Sequence, residues 1–171
     1  MSGIVNNIIK DSNEANELKK LLFKNDNIKF KLLYQATKNG DKISDIENSV
    51  YNCSPTLFLV YTKKGIKCGG FTNAFWKSDS NYKIDNKAFL FNLTNKKIFH
   101  IKNPNQAIIM SSNHICFGES GHSDFYIRNK FLESKIYEAK SKIAYISENY
   151  DLTGENNSEI NELEIYSVIF N

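Results

Sequence analysis

The sequence predicts a mainly β fold with some α: a single-domain antiparallel β-sandwich flanked by short helices. Three observations predict it. From Pro55 onward, strand-length runs rich in β-branched and aromatic residues recur with turn residues between them. In residues 88–93, Ala88, Leu90 and Asn92 face one way and Phe89, Phe91 and Leu93 the other, as in a strand with one face on a core. The chain of 171 residues is 41% hydrophobic and 13% aromatic, too apolar for disorder and long enough for one domain with a substantial core.

The elements follow in order. Asp11 to Glu14 carry a capping-box pattern, with Asp11 as cap and Glu14 reaching back. Ala15, Leu18, Leu21 and Leu22 then recur at helical spacing, so a helix is expected over residues 12–23. Asn25-Asp26-Asn27 ends it, residues 30–34 read as a strand, and Asn39-Gly40-Asp41 is a turn. Ile43, Ile46, Glu47 and Val50 suggest a second short helix. Residues 56–61 (TLFLVY) are strand-forming, and Lys63-Lys64-Gly65 turns the chain into a strand at 66–72. Inside that strand, Gly69 and Gly70 mark a bulge or a close backbone approach, and Trp76, the only tryptophan, ends the run.

Short strands follow at 99–101, 107–110, 115–117 and 125–127, punctuated by Asn103-Pro104-Asn105 and Ser111-Ser112-Asn113. Residues 128–148 fit neither period. Residues 160–170 form a last long strand in which Ile160, Glu162, Glu164, Tyr166 and Val168 alternate with Leu163, Ile165 and Ile169. The helices are expected at an end or edge of the sandwich. Residues 1–27 read as a helical segment packing on a sandwich domain of residues 28–171.

Composition narrows the function. The net charge of +3 comes from interspersed residues, and Lys19-Lys20, Lys63-Lys64 and Lys96-Lys97 are isolated pairs, which argues against a nucleic-acid surface. Cys53, Cys68 and Cys116 are odd in number and form no CxxC pair, which fits a reducing compartment and argues against zinc. The N-terminus lacks the apolar core of a signal peptide, and no segment approaches the ~20 apolar residues of a membrane span. The cytoplasm or nucleus is the expected location, with no cofactor.

Several of these phrases, in this order, resemble the TLDc domain family. Leu32-Leu33-Tyr34-Gln35-Ala36-Thr37-Lys38-Asn39-Gly40 is similar to the family's opening. Pro55-Thr56-Leu57, Gly69-Gly70-Phe71-Thr72, Trp76, Asp85 with Ala88-Phe89-Leu90-Phe91, and Ile101-Lys102-Asn103-Pro104 follow at family-like spacing. Phe117-Gly118 with His122, Asp124 and Tyr126-Ile127 resembles its glycine-rich, histidine-containing turn, and residues 161–166 its last strand. Two departures stand out: Ser123 separates His122 from Asp124, and residues 128–143 lack the usual Ser/Asp/Asn-rich loop. The resemblance implies resistance to oxidative damage and regulation of the vacuolar proton pump by binding it. It implies no catalytic mechanism. Gly69, Gly70, Trp76, Asp85, Phe89, Phe91 and Gly118 are its structural signature.

Candidate chemistry is sparse. His114 and Cys116 share a strand face, with His122 able to fold back, but a zinc site needs more ligands than this. A Cys116–His122 pair could activate a thiolate, and Cys68 beside two glycines could be oxidisable; these make Cys68 and Cys116 the redox candidates for an alternative reading as a small redox-responsive enzyme or peroxide scavenger. Glu162 and Glu164 share one face of the last strand, either solvated or meeting a partner. Trp76 is either a core plug or an exposed anchor. The expected partner surface is the loop carrying Glu119, His122 and Asp124, with Trp76, Glu162 and Glu164 as further contacts. Between two carboxylates, His122 would change charge near neutral pH. A non-catalytic interaction domain is the leading reading.

Overall fold

A computed structural model describes residues 4–25, 27–119, 124–138, 144–146 and 151–170. Two antiparallel sheets face each other. The larger contains β1 (Lys29–Gln35), β2 (Thr56–Thr62), β3 (Lys67–Thr72), β4 (Phe89–Asn92), β5 (Lys97–His100) and β11 (Ile160–Ile169), in the order β1-β11-β2-β3-β4-β5. The smaller contains β6 (Ile108–Met110), β7 (His114–Phe117), β8 (Phe125–Arg128), β9 (Ile136–Tyr137) and β10 (Asn157–Ser158), in the order β10-β9-β8-β7-β6. The final strand β11 therefore lies between β1 and β2 and pairs with both. In the stretch where neither period was clear, only β9 forms among the described residues, paired to β8 at Tyr126–Tyr137.

Between the sheets, Phe58, Val60, Leu90, Ile115, Phe117, Ile127, Leu163 and Ile165 are buried together. α3 (Ile43–Val50) adds Ile43, Ile46 and Val50 to the same core, and the single turn α2 (Ala36–Asn39) adds Ala36. Burying this apolar area is the main stabilising term.

The outer face of the larger sheet departs from expectation. α1 (Ser12–Phe23) does not sit at an end or edge. It lays Ala15, Leu18 and Leu22 on the sheet against a row that includes Leu57, Leu59, Phe71, Phe89 and Phe91. Ile4, Ile8 and Ile9 extend that cover over Tyr166 and Val168. The six-stranded sheet is buried on both faces because both faces of its central strands are apolar, and each must leave water. In the cap of α1, Asp11 Oδ1 accepts the Glu14 amide at 2.9 Å, while the Glu14 carboxylate accepts the Lys10 amide rather than that of Asp11.

The glycine pair is a close approach and not a bulge. Gly69 pairs with Leu59 and Phe91, and Gly70 with Phe58 and Leu90, in unbroken register. A Cβ on Gly69 would lie 1.8 Å from the Phe58 carbonyl oxygen, and one on Gly70 would lie 2.7 Å from the Phe117 ring. That gap lets Phe117 meet Phe58 and Trp76, with ring centroids 5.5 and 5.3 Å away. Trp76 is a core plug. Its indole Nε1 donates to Thr56 Oγ1 at 3.0 Å, which satisfies the one polar atom of the ring.

Candidate functional site

Antiparallel pairing puts several loops at one end of the sandwich. Thr56 faces Thr72, and Phe89 faces both Phe71 and His100, so segments 73–88 and 101–107 leave the larger sheet on the same side. In the smaller sheet, Phe117 faces Ile108 and Phe125, which brings Gly118 and Asp124 to that end too.

Hydrogen bonds knit these loops. Asp85 accepts from Thr72 Oγ1 (2.8 Å), the Asn73 amide (2.6 Å) and the Lys87 amide (2.9 Å). Its own amide donates to the Pro104 carbonyl. The amides of Lys102 and Asn103 both donate to the Ala144 carbonyl, at 2.7 and 3.0 Å, and the Ile146 amide donates to the His100 carbonyl. Asp124 Oδ2 in turn accepts the Ala144 amide at 3.0 Å. The Tyr145 hydroxyl donates to the Ala107 carbonyl at 2.7 Å. Burial, and then the charges of Asp124 and Asp85, push that hydroxyl well above its ordinary pKa, so it stays a neutral donor.

Asp85 and Asp124 thus face inward while isoleucines at this end face out. Asp85 and Asp124 are buried, whereas Ile84 is 71% exposed and Ile146 61% exposed. Lys87 and Lys102 are also exposed. Of the loop expected to meet a partner, Glu119 is half-buried and His122 lies outside the described residues. Asp124, expected at the partner surface, is buried instead, where its carboxylate holds the Ala144 backbone. Trp76 is buried and offers no anchor at the surface.

Glu162 and Glu164 form a separate cluster, and the solvated strand face is not what they occupy. Both are buried on the outer face of the larger sheet, under the N-terminal segment. Glu162 accepts from Asn7 Nδ2 (3.1 Å), Gln35 Nε2 (3.2 Å), Thr37 Oγ1 (2.5 Å) and the amides of Thr37 and Leu163. Burial alone would raise its pKa, but the bonds from Thr37, Asn7 and Gln35 outweigh it and hold the carboxyl below its usual range. Glu164 accepts the Asn7 amide (2.9 Å) and the Tyr166 hydroxyl (2.7 Å). Here burial wins over those bonds, and the charge of Glu162 adds to it, so Glu164 titrates above the usual range. The pair holds Asn7 and the Ile8 backbone against the sheet.

Cys68 and Cys116 are buried, and Cys53 is half-buried. Burial, reinforced by the charge of Glu138, pushes the Cys68 thiol far above its ordinary value, the opposite of what a nucleophile needs. His114 binds Ser111 Oγ through Nδ1 at 2.8 Å, and burial lowers its pKa. Among the described residues no three His, Cys, Asp or Glu side chains group as metal ligands.

A family model for the TLDc domain matches residues 4–169. The chain belongs to the TLDc family. The matched span takes in the N-terminal segment that Glu162 and Glu164 hold, as well as the sandwich. No curated protein matches the chain. Much of what looks like a motif in this TLDc domain is packing: Gly69 and Gly70 make room for a carbonyl and a ring, Trp76 plugs the core, and Asp85 ties the turns between β3 and β4. Sequence reasoning passed over Ile84 and Ile146. The one signal for Ile84 was an isolated isoleucine between Lys83 and Asp85 in a polar loop.

Proposed function

We propose that this TLDc domain is a non-catalytic protein-interaction module that works through the loop end described above. The observation that carries this reading is the arrangement of Asp85 and Asp124: both carboxylates are turned inward to fix backbone amides, while Ile84 and Ile146 project outward. Such an end presents shape and apolar contact, and spends its acids on rigidity. Loops held on a rigid sandwich are where binding function concentrates.

The partner class is a large protein assembly. The resemblance to the family puts the vacuolar proton pump first, in the setting of resistance to oxidative damage on the cytoplasmic side. A peroxide scavenger built on Cys68 or Cys116 has less support, since both thiols are buried and that of Cys68 is held protonated. The test is capture of detergent-solubilised pump by the purified protein. Wild type should retain it, and Ile84→Ser/Ile146→Ser should retain at least about tenfold less, a loss of ~1.4 kcal/mol. Equal capture by the two folded proteins would move the binding surface elsewhere.

A further inference from the structure

We propose that the same loop end docks on an anionic lipid surface. The inference rests on the loop end being the working face, but not on the pump being the partner.

Ile84 and Ile146 belong to turns tied to the two ends of one short segment. The turn after Ile84 bonds to the Pro104 carbonyl through the Asp85 amide, and Ile146 bonds to the His100 carbonyl through its own amide. Each exposed isoleucine has an exposed lysine in the same knot. Lys87 shares the Asp85 turn with Ile84. Lys102 bonds the Ala144 carbonyl two residues before Ile146. The acids that would cancel these cations are withdrawn: Asp85 is 6% exposed and Asp124 is fully buried. Asp79, further along the first loop, is held by Lys83 at 2.7 Å. Glu47, half-buried, is engaged by the Ser78 amide and hydroxyl of that loop, and Glu119 is half-buried beside Gly118.

Aliphatic tips flanked by lysines suit the boundary between headgroups and acyl chains, where the tips leave water and each cation meets a negative surface. Phe75, 57% exposed in the same segment as Ile84, adds an aromatic of the kind that seats at that boundary, and the flanking cations are point-charge lysines in a chain whose one arginine, Arg128, lies on β8.

The test is co-sedimentation of the purified protein with vesicles of phosphatidylcholine alone or mixed with phosphatidylserine. Binding is expected only to the mixed vesicles, weakening as salt is raised. Ile84→Ser/Ile146→Ser and, separately, Lys87→Glu/Lys102→Glu should each reduce it by at least about tenfold with unchanged urea midpoints, since all four side chains are exposed. No sedimentation with mixed vesicles, or sedimentation that neither folded variant weakens, overturns the proposal. Pump capture in detergent separates the two readings. If the Ile84→Ser/Ile146→Ser protein loses pump capture while wild type ignores vesicles, the end is a protein surface and the lipid proposal falls. If vesicles bind as expected and pump capture fails, the lipid proposal stands and the pump assignment falls.

Discussion

The carboxylate of Asp124 occupies the space that a side chain on Gly118 would need. A Cβ on Gly118 would lie 1.9 Å from Asp124 Oδ2, and the glycine also holds a left-handed backbone, with φ of +92°. The two residues are one device: the glycine bends the chain out of β7, and the space it leaves admits the acid that holds the Ala144 amide.

Gly118→Ala should therefore destabilise the domain by ~2 kcal/mol or more, through a combined steric and backbone cost. Asp124→Ala should cost ~1–3 kcal/mol by leaving a buried amide unpaired, and should speed hydrogen exchange at Ala144 specifically. Urea denaturation with residue-resolved exchange checks both. A midpoint unmoved by Gly118→Ala would refute the coupling.

The glycine pair in β3 gives a graded expectation. Gly69→Ala meets the Phe58 backbone oxygen, which cannot swing aside, whereas Gly70→Ala meets a ring that can tilt. The first should cost ~3 kcal/mol or more and the second ~2 kcal/mol, within the overpacking range. Phe117→Leu should recover part of the Gly70→Ala loss and none of the Gly69→Ala loss. Additive losses in a double-mutant cycle at residues 70 and 117 would count against this account.

Glu162 and Glu164 predict opposite responses to neutral isosteres. Glu162→Gln replaces a hub that accepts five hydrogen bonds with an amide that must donate, and should destabilise by ~1–3 kcal/mol at neutral pH. Glu164→Gln should be near neutral or stabilising there, because the buried charge is what the fold disfavours. The pH dependence follows from the two directions. Glu162 titrates low in the fold, so its stabilisation is present above its unfolded pKa and is lost as pH falls through the folded value. Glu164 titrates high, so the stability linked to its proton is present below its unfolded pKa and is lost as pH rises through the folded value. Stability measured across pH should lose the Glu162 share of its fall toward low pH in Glu162→Gln, and the decline that begins just above the usual carboxylate range in Glu164→Gln. The reverse pattern would invert the assignment.

Local signals explain which parts of this structure were legible from sequence. α1 and α3 form over Ser12–Phe23 and Ile43–Val50, as periodicity and the Asp11 cap imply, because those causes lie within one or two turns. The face that α1 covers was not legible, since alternation in β4 says which residues share a side but not that both sides are covered. The burial of Glu162 and Glu164 was hidden for the same kind of reason: their cover is Asn7 and its neighbours, more than 150 positions away in the chain. At the loop end, the glycine of Gly118-Glu119 was visible as a turn. The inward role of Asp124 depends on the backbone of Ala144, which no spacing rule reaches.

Thiol accessibility should follow the burial of the three cysteines. In native protein, Cys53 should react with an aromatic disulfide reagent well before Cys68 and Cys116, which should react only on unfolding. Rapid reaction of all three in native buffer would reopen the scavenger reading.

The central claim, that the domain acts by contact through its loop end and not by thiol chemistry, is tested most directly by one side-by-side measurement. Pump capture in detergent is compared for wild type, a Cys53→Ser/Cys68→Ala/Cys116→Ala protein and Ile84→Ser/Ile146→Ser, all confirmed as folded. The account predicts that the cysteine-free protein captures within about twofold of wild type while the isoleucine variant loses at least about tenfold. Loss of capture in the cysteine-free protein with the isoleucine variant unaffected would contradict it.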